Sequence, residues 1–258
     1  MENKAIVEIT KYALSKKDFE DIPEDQVALI GLLNYAATEL NCLQRVYIAS
    51  SQGLTGENHL DVGIASQRYT LLRVWSAKLF ELMQCLEDLC KPNRKIDEVV
   101  LEVATTAREA MVELKENDAY PLVRNIRDNA TNHYSFKDAK KNLRHVSEGA
   151  DFSLYLHEMD GNSYYPMGEE LMFVGRINRF GSGLSGKAAR QNLLNAWMDW
   201  NLLANHWVRA THVDAFERLV MSKYPRRAAW SKKHYVPVNL VGNIEKPVVP
   251  LFMKRTVG

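Results

Sequence analysis

Apolar side chains spaced three and four residues apart run through most of the first 150 residues, and they constrain this chain more than any other feature. From Gln26 to about Ser50, Ile30, Leu33, Ala37, Leu40, Leu43 and Tyr47 fall on one face of a helix. Leu72, Trp75, Leu79, Leu82, Leu86 and Leu89 repeat the pattern between Val62 and Cys90, and Pro92-Asn93 breaks it. A third stripe, Val100, Val103, Ala107, Met111 and Leu114, starts behind Asp97, a residue type suited to capping a helix N-terminus. Pro121 suits the first turn of a fourth helix, expected from about Ala119 through Val146. Four such segments on modest connections predict an antiparallel bundle over residues 1–150.

Beyond Gly149 the period changes. Phe152, Leu154 and Leu156 alternate with Ser153, Tyr155 and His157, Asp160-Gly161 is a turn signal, and Glu170 to Ile177 can return as a second strand. This predicts a β-hairpin over residues 151–178. A Gly-rich stretch, Gly181 to Gly186, precedes a long helical pattern from Lys187 to about Ser222, with Trp197, Trp200 and Trp207 on one face. Those tryptophans suit a core or a subunit interface, where large aromatics are enriched. Pro225, Pro237, Pro247 and Pro250 give the tail an extended character. The expected class is therefore mainly α: an antiparallel helical bundle with an appended β-hairpin and a long additional C-terminal helix. Residues 151–258 are expected to pack onto the bundle or onto a dimer partner.

Charge and cysteine content narrow the functional classes. Thirty-three Lys and Arg against 32 Asp and Glu leave a net charge of +1 over 258 residues, so any nucleic-acid site must be a local patch. No apolar run approaches the ~18 residues of a membrane span, and the opening residues do not read as a signal peptide. Cys42, Cys85 and Cys90 lack disulfide-framework or zinc-site spacing, which points to a cytoplasmic protein. Gly181 to Lys187 fits G-x-x-x-x-G-K, yet Ala188 stands where a magnesium-binding hydroxyl is needed, so no nucleotide cofactor is expected. His157-Glu158 does not continue as a zinc motif. His206 and His212 lie six residues apart, ~120° around a helix, so they and Asp214 make no metal site.

The expected fourth helix is dense in polar groups for a bundle member: Arg124, Asn125, Arg127, Asp128, Asn129, Asn132 and His133. Asn129 and His133 share a face at i,i+4, and Arg124 and Asp128 form an opposite-charge pair at the same spacing. Surface ion pairing with an ordinary packed histidine is one outcome of that pattern; a phosphate site is the other. The run IRDNATNHY resembles the signature of HEPN-domain proteins, an Arg followed by four to six residues and then His, often with a polar residue directly after the Arg. Arg127, Asp128 and His133 match those positions. A second spacing match, Arg227 to His234, lies in the Pro-rich tail and has Ala228 after the Arg. The resemblance covers roughly residues 25–150 and implies a metal-independent ribonuclease, toxin or defence protein, acting as a homodimer with paired motifs lining a cleft. An antitoxin or regulatory partner belongs to the same expectation; so does the alternative of a catalytically silent RNA-binding or protein-interaction module.

The residue chemistry suits RNA cleavage. An imidazole with pKa ~6.5 exchanges protons near neutrality, and a guanidinium stays charged and grips two phosphate oxygens together. His133 is thus the expected general acid/base, Arg127 the phosphate clamp, and Asp128 the group that orients either. Arg124, Asn125 and Asn129 are candidates for positioning the RNA backbone. In the tail, Arg226, Arg227, Trp230, Lys232 and Lys233 interleave cations with an aromatic, a pattern that holds phosphates while bases stack.

Overall fold

The computed structural model describes residues 4–51, 55–128, 135–156, 163–179, 187–224 and 229–237. In chain order these form β1 (Lys4–Lys11), α1 (Glu24–Ala49), α2 (Asn58–Leu89), α3 (Glu98–Glu116), α4 (Tyr120–Ile126), α5 (Phe136–Asn142), α6 (Pro166–Glu169), α7 (Gly175–Arg179), α8 (Lys187–Leu219) and β2 (Trp230–Pro237). A 3-10 turn, Leu143–His145, follows α5, and a π-helical turn, Glu170–Val174, joins α6 to α7.

α1, α2 and α3 arise from the three expected stripes, most of whose side chains are buried, with Ala37, Leu43 and Leu89 half-buried against the core. The Asp97 carboxylate accepts from the Val99 and Val100 amides, 3.0 and 3.2 Å away, as a cap at the start of α3. Asn93, just past α2, has φ 73°, a left-handed turn that asparagine tolerates better than most residues.

The fourth wall of the bundle is α8. Trp197, Trp200 and Trp207 are 0%, 1% and 7% exposed, so they belong to the core rather than to a subunit interface. Each indole also hydrogen-bonds across the bundle: Trp197 Nε1 to Ser76 Oγ at 2.7 Å, Trp200 Nε1 to the Leu114 carbonyl at 3.0 Å, and Trp207 Nε1 to the Ala107 carbonyl at 3.0 Å. Positions falling along α3 thus meet positions rising along α8, so the two helices run antiparallel. His212 meeting Asn34 and Asn205 meeting Gln44 set α1 antiparallel to α8 in the same way. One apolar cluster extends from Ile22 to Val220, so residues on both sides of position 150 share a core.

Three expectations change. The segment from Ala119 to Val146 is not one bundle helix: its described parts are α4, α5 and the turn at Leu143–His145, with Pro121 in the first turn of α4 as expected. Among the described residues of 151–178 the strand pairing is an antiparallel bridge between Tyr155 and Tyr164, while Glu170 to Ile177 is helical rather than a second strand; 157–162, with the Asp160-Gly161 turn, lie outside the described residues. Distant charges hold the helical stretch. Arg73 on α2 grips Glu169 at 2.7 and 2.8 Å, and Arg190 on α8 grips Glu170 at 2.8 and 3.0 Å, two bidentate pairs that tie its start to the bundle. The two-stranded antiparallel sheet is instead β1 with β2, Lys4 opposite Pro237 and Lys11 opposite Trp230, which places a strand among residues expected to precede helices. Of the tail expected to be extended, β2 is a strand, and residues 225–228 and 238–258 lie outside the described residues.

Candidate functional site

Arg127 and Asp128 continue the helical turn that follows α4, where Val123 and Ile126 bury the inner face and leave the arginine beside α2. There the guanidinium lies across the Phe80 ring, Cζ 5.8 Å from its centroid. Nη1 donates to Asp128 Oδ1 at 2.9 Å and Nη2 to Glu81 Oε1 at 3.2 Å, while Nε is buried with no hydrogen-bond partner. The bond to Asp128 is the main reason its pKa is raised, so the group is a fixed cation at any physiological pH.

A cleft of about 370 Å³ opens beside it between α2, α3 and α4. Lys115, Arg124 and Arg127 bring three cations to its wall, and Glu87 and Asp128 bring two carboxylates. Each cation has a partner: Lys115 binds Glu87, Arg124 Nε sits 3.7 Å from Asp128 Oδ2, and Arg127 holds Asp128 and Glu81. The site is therefore close to charge-neutral. An incoming phosphate gains Arg127 only by displacing carboxylates, but the Asp128 and Glu81 side chains are 41% and 66% exposed. Ion pairs that open contribute ~0–1 kcal/mol each, a modest barrier to exchange. Asn125 is half-buried on the same turn.

The structure thus brings Arg124, Arg127 and Asp128 together at one accessible cleft. His133 and Asn129 lie outside the described residues, as do Arg226, Arg227, His157, Glu158 and the glycines from Gly181 to Gly186; no side-chain position is described for Trp230 or Lys187. Lys232 and Lys233 are exposed on β2, opposite Ile9 and Glu8. His206 is exposed, His212 bonds Asn34, and Asp214 pairs with Arg218, so these three do not converge. Among the described residues no group of His, Cys, Asp and Glu can hold a metal ion, and no helix is long and apolar enough to cross a membrane.

One feature of the site was invisible in sequence. Glu81 and Phe80 come from α2, more than 40 residues from the motif, and only folding sets them against Arg127. α5 carries a concentration of cations that its buried side fixes in place. Asp138 lies 3.9 Å from Arg176 and 3.6 Å from Arg179, and Asn142 is fully buried against α7, where a Cβ on Gly175 would come within 2.9 Å of the Asn142 carbonyl. A hydrogen bond from Ser135, then Arg176 and Arg179, hold the Asp138 carboxyl below the usual range. No family model matches the sequence, and comparison with curated proteins and with solved structures likewise yields no match.

Proposed function

We propose that the chain is a HEPN-like, metal-independent endoribonuclease working as a homodimer, with Arg127 as the phosphate clamp and His133 as the general acid/base. One observation carries the reading: Arg127 is not sealed in the bundle but stands at an open cleft with two further cations. In the step envisaged, His133 takes the proton of a ribose 2′-hydroxyl while that oxygen bonds to phosphorus. The bond from phosphorus to the 5′-oxygen breaks, and the departing oxygen takes up a proton from water, to which His133 afterwards returns the one it accepted. Arg127 offsets the charge gathering on the non-bridging oxygens, and Asp128 orients its guanidinium in the free protein.

The test is incubation of the purified protein with mixed RNA in EDTA. The expected products end in 2′,3′-cyclic phosphates. His133→Ala is expected to lose ~10²–10⁴-fold in rate and Arg127→Ala at least as much, both with native helicity and native self-association. RNA left intact by the parent protein refutes the proposal. A second reading, a catalytically silent helical RNA-binding or protein-interaction module, draws on the engagement of Arg127 by Glu81 and Asp128, which balances its charge without any ligand. RNA binding without cleavage selects that reading. A toxin or defence setting with a regulatory partner belongs to the first.

A further inference from the structure

The cations around Arg127 are all paired; those on α5 are not. Between Ser135 and His145 the sequence has Lys137, Lys140, Lys141 and Arg144 against Asp138, a local net charge of +3 within a chain whose total is +1. All four cations are exposed, and among the described residues none is in an ion pair. Asp138 lies within ion-pair distance of Arg176 and Arg179 of α7, 3.9 and 3.6 Å away, while Lys141 acts on its carboxyl only as a weaker, more distant charge. Amid these cations Phe136 is 79% exposed, with Lys140 Nζ 5.0 Å from its ring centroid. Phe136 is not part of the buried core, and its largely exposed ring lies among the four cations. That arrangement is what a surface for stacking nucleobases needs.

We infer that the outer face of α5 and the turn after it bind single-stranded RNA, with phosphates on Lys137, Lys140, Lys141 and Arg144 and one base stacked on Phe136. The inference deepens the proposed function and rests on it for the identity of the ligand as RNA. Along α5 and into the turn after it the cations recur at three- and four-residue steps over ~10 Å of chain, room for a short stretch of backbone. α5 is also a firm base: Asn142 and Asp138 anchor it to α7, and Gly175 admits the close approach. Its position a few residues past His133 sets this face next in sequence to the proposed cleavage motif.

The probe is a short, fluorescently labelled single-stranded RNA carrying 2′-O-methyl groups throughout, which cannot be cleaved through its own hydroxyl, so binding is read independently of catalysis by anisotropy. For four phosphate contacts the slope of log K against log salt is expected near roughly −3, and the Lys140→Ala/Lys141→Ala/Arg144→Ala triple variant should lose about two units of it. Phe136→Ala should weaken binding roughly 5- to 100-fold while keeping the slope. All four positions are exposed, so these variants are expected to fold, and circular dichroism checks that they do. Cleavage of unmodified RNA by the parent, lost in Arg127→Ala, reads the Arg127 site separately from the α5 variants. Parent-like affinity in both α5 variants overturns the inference and leaves the Arg127 proposal standing. Absence of RNA binding by the parent overturns it too, as does tighter binding of duplex RNA. Polyglutamate binding by an RNA-refusing parent would assign the face to an acidic protein and equally refute it.

Discussion

Replacing Trp200 and Trp207 in turn by phenylalanine separates two kinds of buried hydrogen bond that look alike in length. Both indoles donate at 3.0 Å to carbonyls of α3. Ala107 lies in the middle of that helix, so its carbonyl still accepts from the Met111 amide when the indole is gone. Leu114 is within the last four residues, whose carbonyls have no partner inside the helix, and no backbone amide beyond Glu116 takes it up. Trp200 thus caps the C-terminus of α3 from another helix. Both substitutions delete the same atoms from similarly buried sites, so their shared loss of packing cancels in the comparison. What remains is one stranded buried acceptor in Trp200→Phe, about 1–3 kcal/mol. Urea unfolding followed by circular dichroism should therefore find Trp200→Phe less stable than Trp207→Phe by that amount, or roughly 2–12 °C in Tm for a domain of this size. Equal stabilities, or a Trp207→Phe variant that is the weaker of the two, would refute the capping argument.

Two further predictions concern stability. Gly175→Ala puts a methyl 2.9 Å from the Asn142 carbonyl and 3.1 Å from that of Glu170. The overpacking cost of about 1–3 kcal/mol should outweigh the gain in helix propensity of at most ~1 kcal/mol, lowering the urea midpoint. Burial lowers the pKa of His212 below its ordinary 6.5. The unfolded chain then binds the proton more readily than the folded one, so stability falls as pH drops below about 6.5 and is regained above it. His212→Gln should lose less Tm between pH 7 and pH 5 than the parent protein, and an equal loss would show that other groups dominate.

What could be read from the sequence was whatever one segment decides alone. The stripes of α1, α2 and α3 are local patterns, Asp97 and Pro121 are local terminus signals, and the three tryptophans fall on one face by spacing alone. The stretch from Glu170 to Ile177 misled because a short apolar run with a glycine fits strand and helix equally. Arg73 and Arg190, on other elements, tie its start to the bundle. The β1–β2 pairing joins positions more than two hundred residues apart, and neither strand alternates strictly enough to declare itself. At the candidate site the motif was legible as a spacing, but its neutralisation by Glu81 and its seat on Phe80 depend on α2 lying alongside α4. Of the polar run that begins at Arg124, the described members Arg124 and Asn125 belong to a seven-residue helix and Arg127 and Asp128 to the turn after it, not to one of the long helices of the bundle.

The pairing of β1 with β2 has a mechanical consequence. Lys4 lies opposite Pro237, so a load applied between those two residues pulls on one end of an antiparallel ladder, across its hydrogen bonds instead of along the strands. The rungs would then break in succession, as in opening a zip, each at low tension. The helices would feel no stretch until Lys11 had left Trp230, and the ribbon would act as a weak fuse in series with a much tougher bundle.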